Sequence, residues 1–319
     1  MATDGKKIRV GVVGIGHLGS YHLQKYANID HCEIIAVSDT QIEKAKKAAD
    51  LYSCRAFTDH REMLGKVDAV SITVPTGAHH TVARDFLSAG IDVLIEKPLC
   101  ATLEEADELL ALAAKNNLVF QVGFVERFNP AVMALDQVIT RPVFIEVHRL
   151  HPFFERGTDV DVILDLMIHD LDIILKFVHS PLTRVEAVGV PVLSDKIDIS
   201  NVRLSFACGC IANVTASRIS AKTMQKLRFF GPEGYHAVDT RKREILSLNK
   251  ITGADGKQQI VQNNIEVGSH DPLEEEIRSF VGSVLTRSKP AVSGEDGRKS
   301  LALAIEILQK MKTHEDIKL

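Results

Sequence analysis

Three side chains suited to moving a proton stand out by type and setting: Lys97, Asp165 and His169. Lys97 lies in Glu96-Lys97-Pro98, directly after the apolar run 92–95, at the carboxyl end of an expected strand. A lysine held between a strand end and a proline is constrained, and partial burial would draw its pKa toward the range of proton transfer. Asp165 and His169 are four residues apart in the apolar segment 159–178, so an α-helix puts them side by side. At about 100° per residue, Asp161, Asp165, His169 and Asp172 share an arc of roughly 80°, while Asp170 lies away from it and suits a structural role. A carboxylate beside a histidine can fix its tautomer and raise its basicity, which suits a general base acting on an alcohol. The same stripe also reads as a solvated acidic face, and Lys97 as a surface residue paired with Glu96. Whether Lys97 or His169 takes the proton stays open.

A second constellation concerns phosphate. Gly14-Ile15-Gly16-His17-Leu18-Gly19 follows the first apolar run and opens the first helical pattern. Glycines at this spacing allow a tight turn, close backbone approach to a pyrophosphate and close helix–strand packing. The helix start then supplies unpaired N–H donors and partial positive charge. The next strand ends in Asp39, 20 residues beyond Gly19, where a carboxylate accepts hydrogen bonds from ribose hydroxyls and repels a 2′-phosphate. No arginine follows in Thr40-Gln41. These residues favour NAD over NADP, although Asp39 could also serve as a helix cap.

The elements that must position these groups follow from apolar periodicity. Runs at 8–14, 33–38, 68–74, 92–95 and 118–123 read as buried strands, separated by helical patterns at 17–27, 41–51, 78–89 and 103–115. Thr102 with Glu105 marks the start of the last helix. This rhythm implies an α/β, doubly wound parallel sheet, a Rossmann domain over residues 1–123. Beyond it the rhythm changes. Helices near 130–139 and 159–178, strands at 144–149, 185–192, 201–207, 211–218 and 226–230, and helices at 273–285 and 298–312 suggest an α+β domain over 124–319. Its sheet is expected to be largely antiparallel and open. Loops are expected at 194–198 and 252–257.

Composition excludes several function classes. The 38 basic and 42 acidic residues leave a net charge of -4, with no basic footprint for nucleic acid or a membrane surface. The polar start has no apolar signal core, and no apolar run is long enough to span a bilayer. Five scattered cysteines, without Cys-x-x-Cys, read as reduced thiols of a cytoplasmic protein. His148-x-x-His151, His79-His80 and His169 could in principle ligate zinc. Such spacings recur by chance among 13 histidines, and no metal is expected.

The order Gly14–Gly19, Pro75-Thr76-Gly-Ala-His79, Glu96-Lys97-Pro98 and Asp165-x-x-x-His169 resembles the glucose–fructose oxidoreductase/inositol dehydrogenase/rhizopine catabolism (Gfo/Idh/MocA) family across the chain. Residues 123–130, including Arg127, resemble the family's segment after the cofactor domain. The family pattern commonly has asparagine where this chain has Thr76, and Val125-Glu126 also depart from it. The resemblance implies that Pro75, Thr76, His79 and Glu96 border the cofactor and that Lys97, Asp165 and His169 line the site beside the nicotinamide. It further implies a homodimer or homotetramer assembled through the second domain's open sheet. Residues 156–170 resemble the UDP-N-acetylglucosamine 3-dehydrogenase branch, which implies a sugar or nucleotide-sugar substrate. Arg127, Arg149 and Arg156 are expected near the domain junction, where they could meet a diphosphate or form salt bridges. An NAD(H) sensor without catalysis, or a dehydrogenase of a free sugar, polyol or other carbonyl, are the competing readings.

Overall fold

The computed structural model describes residues 7–153, 160–232 and 234–312. Its described residues divide into two compact units, one within 1–125 and 271–298, the other within 126–270 and 299–319.

In the first unit, β1 (Ile8–Val13), β2 (Cys32–Ser38), β3 (Arg55–Phe57), β4 (Ala69–Ile72), β5 (Asp92–Glu96) and β6 (Phe120–Gly123) alternate with α1 (His17–Tyr26), α2 (Ile42–Tyr52), α3 (Thr76–Ser88) and α4 (Leu103–Lys115). The strands form one parallel sheet in the order β3-β2-β1-β4-β5-β6. The order reverses between β1 and β4, and ligands of such sheets bind outside the carboxyl ends of the strands at that switch. Buried Val, Ile and Ala on both faces of β1, β4 and β5 account for the unbroken apolar runs. Thr102 caps α4: its hydroxyl accepts from the Glu105 N–H, and Glu105 reaches back to the cap.

The helix Pro272–Thr286 corrects the expected division, because it packs in this first unit. Asp271 caps it by accepting from the Glu274 N–H at 2.9 Å. Its Ile277, Phe280, Val281 and Val284 then join the core of Ile8, Leu23 and Tyr26.

The second unit holds α5 (Pro130–Met133), β7 (Phe144–Leu150), a π-helical segment Ile163–Met167 and α6 (Ile168–Phe177). Then come β8 (Leu182–Val190), β9 (Ile199–Phe206), β10 (Ile211–Ser217), β11 (Met224–Gly231), β12 (Gly234–Asp239), β13 (Glu244–Thr252), β14 (Gln258–Asn263) and β15 (Met311–Lys312). These nine strands form one sheet in the order β14-β13-β12-β11-β7-β10-β9-β8-β15. All its pairs are antiparallel except β7–β10 and β8–β15. Alternation turns Ile145, Val147, Val202, Leu204, Val214, Leu227 and Phe229 into the core, where Phe229 meets Phe177 of α6 edge-on.

β12 to β14 lie beyond the strands expected from the sequence. β14 is exposed along nearly all its length. Its register comes from hydrogen bonding to β13 and leaves no apolar alternation to read. Among the described residues no helix is long and apolar enough to cross a membrane.

Candidate active site

The glycine turn is shaped by contacts that exclude side chains. Gly14 has φ +91°, and a Cβ there would lie 2.9 Å from the backbone of Thr73 and Val74. A Cβ on Gly19 would come within 2.0 Å of the Gly14 carbonyl oxygen. Thr73 clamps the turn by donating its hydroxyl to that carbonyl at 2.6 Å. Gly16, in contrast, has nothing within 4 Å of where a Cβ would stand. It is the N-cap of α1 and offers no side-chain cap, so the first N–H groups of the helix remain available. His17 and Leu18 are exposed and Ile15 is buried beneath the turn. A cradle open at Gly16 and closed at Gly14 and Gly19 fits a pyrophosphate.

Asp39 directly follows β2, beside this cradle. One carboxylate oxygen accepts from the Ile15 N–H at 2.7 Å and the other from the Gln41 N–H at 2.8 Å. These bonds fix the carboxylate next to the turn. Gln41, rather than Asp39, is the N-cap of α2.

The loop after β4 supplies Pro75, which is exposed, and half-buried Thr76, which begins α3. His79 takes a different place: it is buried, with Nδ1 2.9 Å from the Pro98 carbonyl and Nε2 2.9 Å from the Val74 carbonyl. It therefore braces the loop after β4 against the one after β5. Burial pushes its pKa down, against the pull of the two carbonyls. A folded-state pKa below the unfolded value means that the unfolded chain binds protons first on acidification. The His79 contribution is therefore present above about pH 6.5 and lost as pH falls toward the folded value. Thermal unfolding from pH 8 to pH 5 is expected to show this decline, and His79→Gln should flatten it. An equal slope in both proteins would exclude the brace as its source.

At the end of β5, Glu96 is buried with Oε1 3.0 Å from Nε2 of His22, and Lys97 is half-buried. Gly14, Asp39, Pro75 and Lys97 thus follow the carboxyl ends of four strands of one sheet.

In the second unit, Asp165 falls in the π-helical segment and His169 in the first turn of α6, each half-buried. The π turn shifts the phase assumed for a regular α-helix, and the expected four-residue stripe separates. Asp161 accepts from the Ile197 N–H at 2.9 Å, and Asp172 is buried against Arg127. Asp170 is buried in a two-pronged pair with Arg149, both contacts being 2.8 Å.

Two of the arginines expected near a diphosphate, Arg127 and Arg149, are paired with carboxylates of the second unit. Arg127 holds Asp172 at 2.9 Å, and Ser300 contacts the same carboxylate at 3.4 Å. Arg149 also donates to Glu126 at 3.1 Å. Burial opposes the charge on Arg149, but Asp170 and Glu126 outweigh it and keep the guanidinium ionised. Both arginines anchor α6, which is the salt-bridging alternative that the sequence left open for them. Arg156 lies outside the described residues.

Two inward polar residues escaped the sequence reading: His22 on α1 and Glu276 on the helix Pro272–Thr286. The signal was present, since Gly19, His22, Leu23 and Tyr26 follow the buried face of α1 and Glu276 adjoins buried Ile277.

Residues 8–124 match the oxidoreductase family with an NAD-binding Rossmann fold, and residues 137–236 match the GFO/IDH/MocA C-terminal domain. The UDP-N-acetylglucosamine 3-dehydrogenase of Acidithiobacillus ferrooxidans is 36% identical over 302 residues, covering 94% of this chain and 96% of its own. A solved structure of that enzyme superposes with a TM-score of 0.90 at 35% identity, covering 96% of this chain and 98% of its own. Scyllo-inositol dehydrogenase of Lactobacillus casei, solved with NAD(H) and scyllo-inositol, shares the fold with a TM-score of 0.80 at 22% identity, covering 96% and 97%. The glycine cradle, the carboxylate beside it and these full-length matches together show that the chain belongs to the GFO/IDH/MocA family of NAD-binding oxidoreductases.

Proposed function

We propose that this dehydrogenase oxidises the 3-hydroxyl of UDP-N-acetylglucosamine to a 3-keto sugar. The observation that carries this reading is the end-to-end similarity to the Acidithiobacillus enzyme of that name. Bound NAD+ supplies the hydride acceptor. The N–H groups at the start of α1 hold the pyrophosphate, and Asp39 accepts from the adenosine ribose hydroxyls. Lys97, Asp165 and His169 serve the reacting hydroxyl. Its proton passes to Lys97 or His169 as the C–H bond gives up hydride, and Asp165 orients His169. Lys97 steadies the developing alkoxide through its positive charge.

The test is to incubate the protein with NAD+ and UDP-N-acetylglucosamine, with a ketone trap to draw the equilibrium forward. NADH should accumulate and mass spectrometry should find a sugar nucleotide lacking two hydrogens. Turnover of free sugars or polyols, with none of the nucleotide sugar, would reject the substrate and keep the dehydrogenase. Turnover of no alcohol at all would favour the sensor.

Asp39 carries the cofactor preference in this reading. Asp39→Ala should weaken NAD binding by about 10–100-fold, the scale of lost hydrogen bonds to a charged group. The gap between NAD and NADP should narrow in titrations of both. Equal affinities in the native protein would remove Asp39 from this role.

Assembly belongs to the same reading. Phe144, Phe230 and Tyr235 cluster on the sheet face opposite Phe229, with ring centroids 5.5 and 4.8 Å apart. Leu246 and Ile260 are exposed on strands farther along this sheet. Such a surface suits a second copy, giving a dimer or tetramer measurable by light scattering. We place the enzyme in the cytoplasm, where its unpaired cysteines would stay reduced.

A further inference from the structure

The core of the first unit contains a group of polar side chains behind the end of β5. His22 and Tyr26 come from α1, Ser71 from β4, Glu96 from β5, Gln121 from β6 and Glu276 from the helix Pro272–Thr286, and all are buried. Tyr26 and Ser71 satisfy one another at 2.8 Å. Gln121 donates to the Glu276 backbone carbonyl at 3.1 Å, and His22 meets Glu96. His22 Nδ1, Gln121 Oε1 and both Glu276 carboxyl oxygens have no hydrogen-bond partner among the described residues.

These atoms share one character. When His22 donates Nε2–H to Glu96, its Nδ1 presents a lone pair, so every unfilled position is an acceptor when Glu276 is ionised. Leaving a buried acceptor bare costs about 1–3 kcal/mol. No group of three or more His, Cys, Asp or Glu among the described residues is arranged to hold a metal ion. A buried water and a proton on Glu276 are the donors that fit such positions. Burial pushes the Glu276 carboxyl well up, and the charge of Glu96 pushes it further.

We infer that His22, Gln121 and Glu276, bridged by buried water, form a positioning cluster that locks Glu96, and with it Lys97, to the helix opening at the glycine turn. This inference rests on the reading of Lys97 as a catalytic group. Glu96 is held from a second side by Gly123, its neighbour across the β5–β6 ladder. A Cβ on Gly123 would lie 3.1 Å from the Glu96 carboxylate, so the carboxylate fills a slot that glycine leaves. Because Lys97 is the next residue, the anchor on Glu96 sets the backbone from which the ammonium extends. His22 lies on α1, so the same anchor ties that backbone to the cofactor cradle. The three residues need touch neither cofactor nor substrate to matter, because a misplacement of about 1 Å can reduce catalysis by roughly 10²-fold.

The test compares two amides of different reach in the full-length enzyme. His22→Gln can still donate to Glu96, whereas His22→Asn falls short of it. His22→Asn should lower kcat by about 10–100-fold and move the pH dependence of kcat/KM, with little change in KM for NAD. His22→Gln should recover most of the rate. Infrared spectra of the native protein in neutral buffer should contain a protonated-carboxyl band that disappears in Glu276→Gln. A folded His22→Asn with native kcat and pH profile overturns the positioning role, and so does absence of the Glu276 band. Native turnover in Lys97→Met overturns the catalytic reading on which it rests, and the infrared band still reports the cluster itself.

Discussion

Lys97→Met and His169→Ala should each lower kcat by about 10²–10⁴-fold, the range of a positioned acid–base group. Methionine keeps an unbranched apolar stem but can neither accept a proton nor present charge to an alkoxide. Alanine at position 169 removes the imidazole and leaves α6 in place, because the helix is anchored by Asp170 and Asp172 on Arg149 and Arg127. The dissociation constant for NAD should stay near native in both variants, since the cradle residues are untouched. Steady-state rates, with substrate deuterated at the oxidised carbon to show that hydride transfer limits turnover, decide the matter. Near-native turnover in both variants would put the chemistry elsewhere. Asp165→Asn should act through His169, so adding it to His169→Ala should lose less than the product of the single effects.

Gly19→Ala and Gly16→Ala should separate the two functions of the glycine turn. The methyl on Gly19 meets the Gly14 carbonyl at 2.0 Å and the Thr73 hydroxyl at 2.8 Å. Backbone must move, so this variant should lose about 1–3 kcal/mol of stability and bind NAD weakly. At Gly16 the methyl enters open space at an ordinary φ of -85°. Stability there should fall by no more than about 1 kcal/mol, the scale by which alanine is a poorer N-cap than glycine. NAD affinity should nevertheless fall by about 10–100-fold, corresponding to roughly 1.4–2.8 kcal/mol, because the methyl occupies the space of the phosphates. Thermal unfolding and calorimetric titration on the same samples give both quantities. A Gly16→Ala protein that binds NAD as well as native would move the pyrophosphate away from this turn.

The cradle was legible because its requirements are local. A positive φ at Gly14, close approach at Gly19 and a carboxylate at the end of the next strand all belong to consecutive elements of one βαβ unit. The place of Lys97 directly after β5 was legible for a related reason: strand ends and prolines are punctuated in the sequence. The π turn at Ile163–Met167 was not, because its altered hydrogen bonding leaves the apolar content of the helix unchanged. The stripe built on a 3.6-residue period consequently grouped Asp161 and Asp172 with Asp165 and His169.

Residue type by itself determined the charges of Arg127 and Arg149, the glycine cradle and the parallel sheet of the first unit. Only tertiary structure decided what those charges meet. The carboxylates opposite the two arginines lie 45 and 21 residues away in the chain, and both carboxylates are buried. Tertiary structure also returned the helix Pro272–Thr286 to the first unit, because Ile277, Phe280 and Val284 complete a core begun by Ile8 and Leu23. That return carries Glu276 into the core behind Lys97. Amphipathic spacing states that a helix has a buried face, but the apolar surface it covers is chosen by packing complementarity among distant segments.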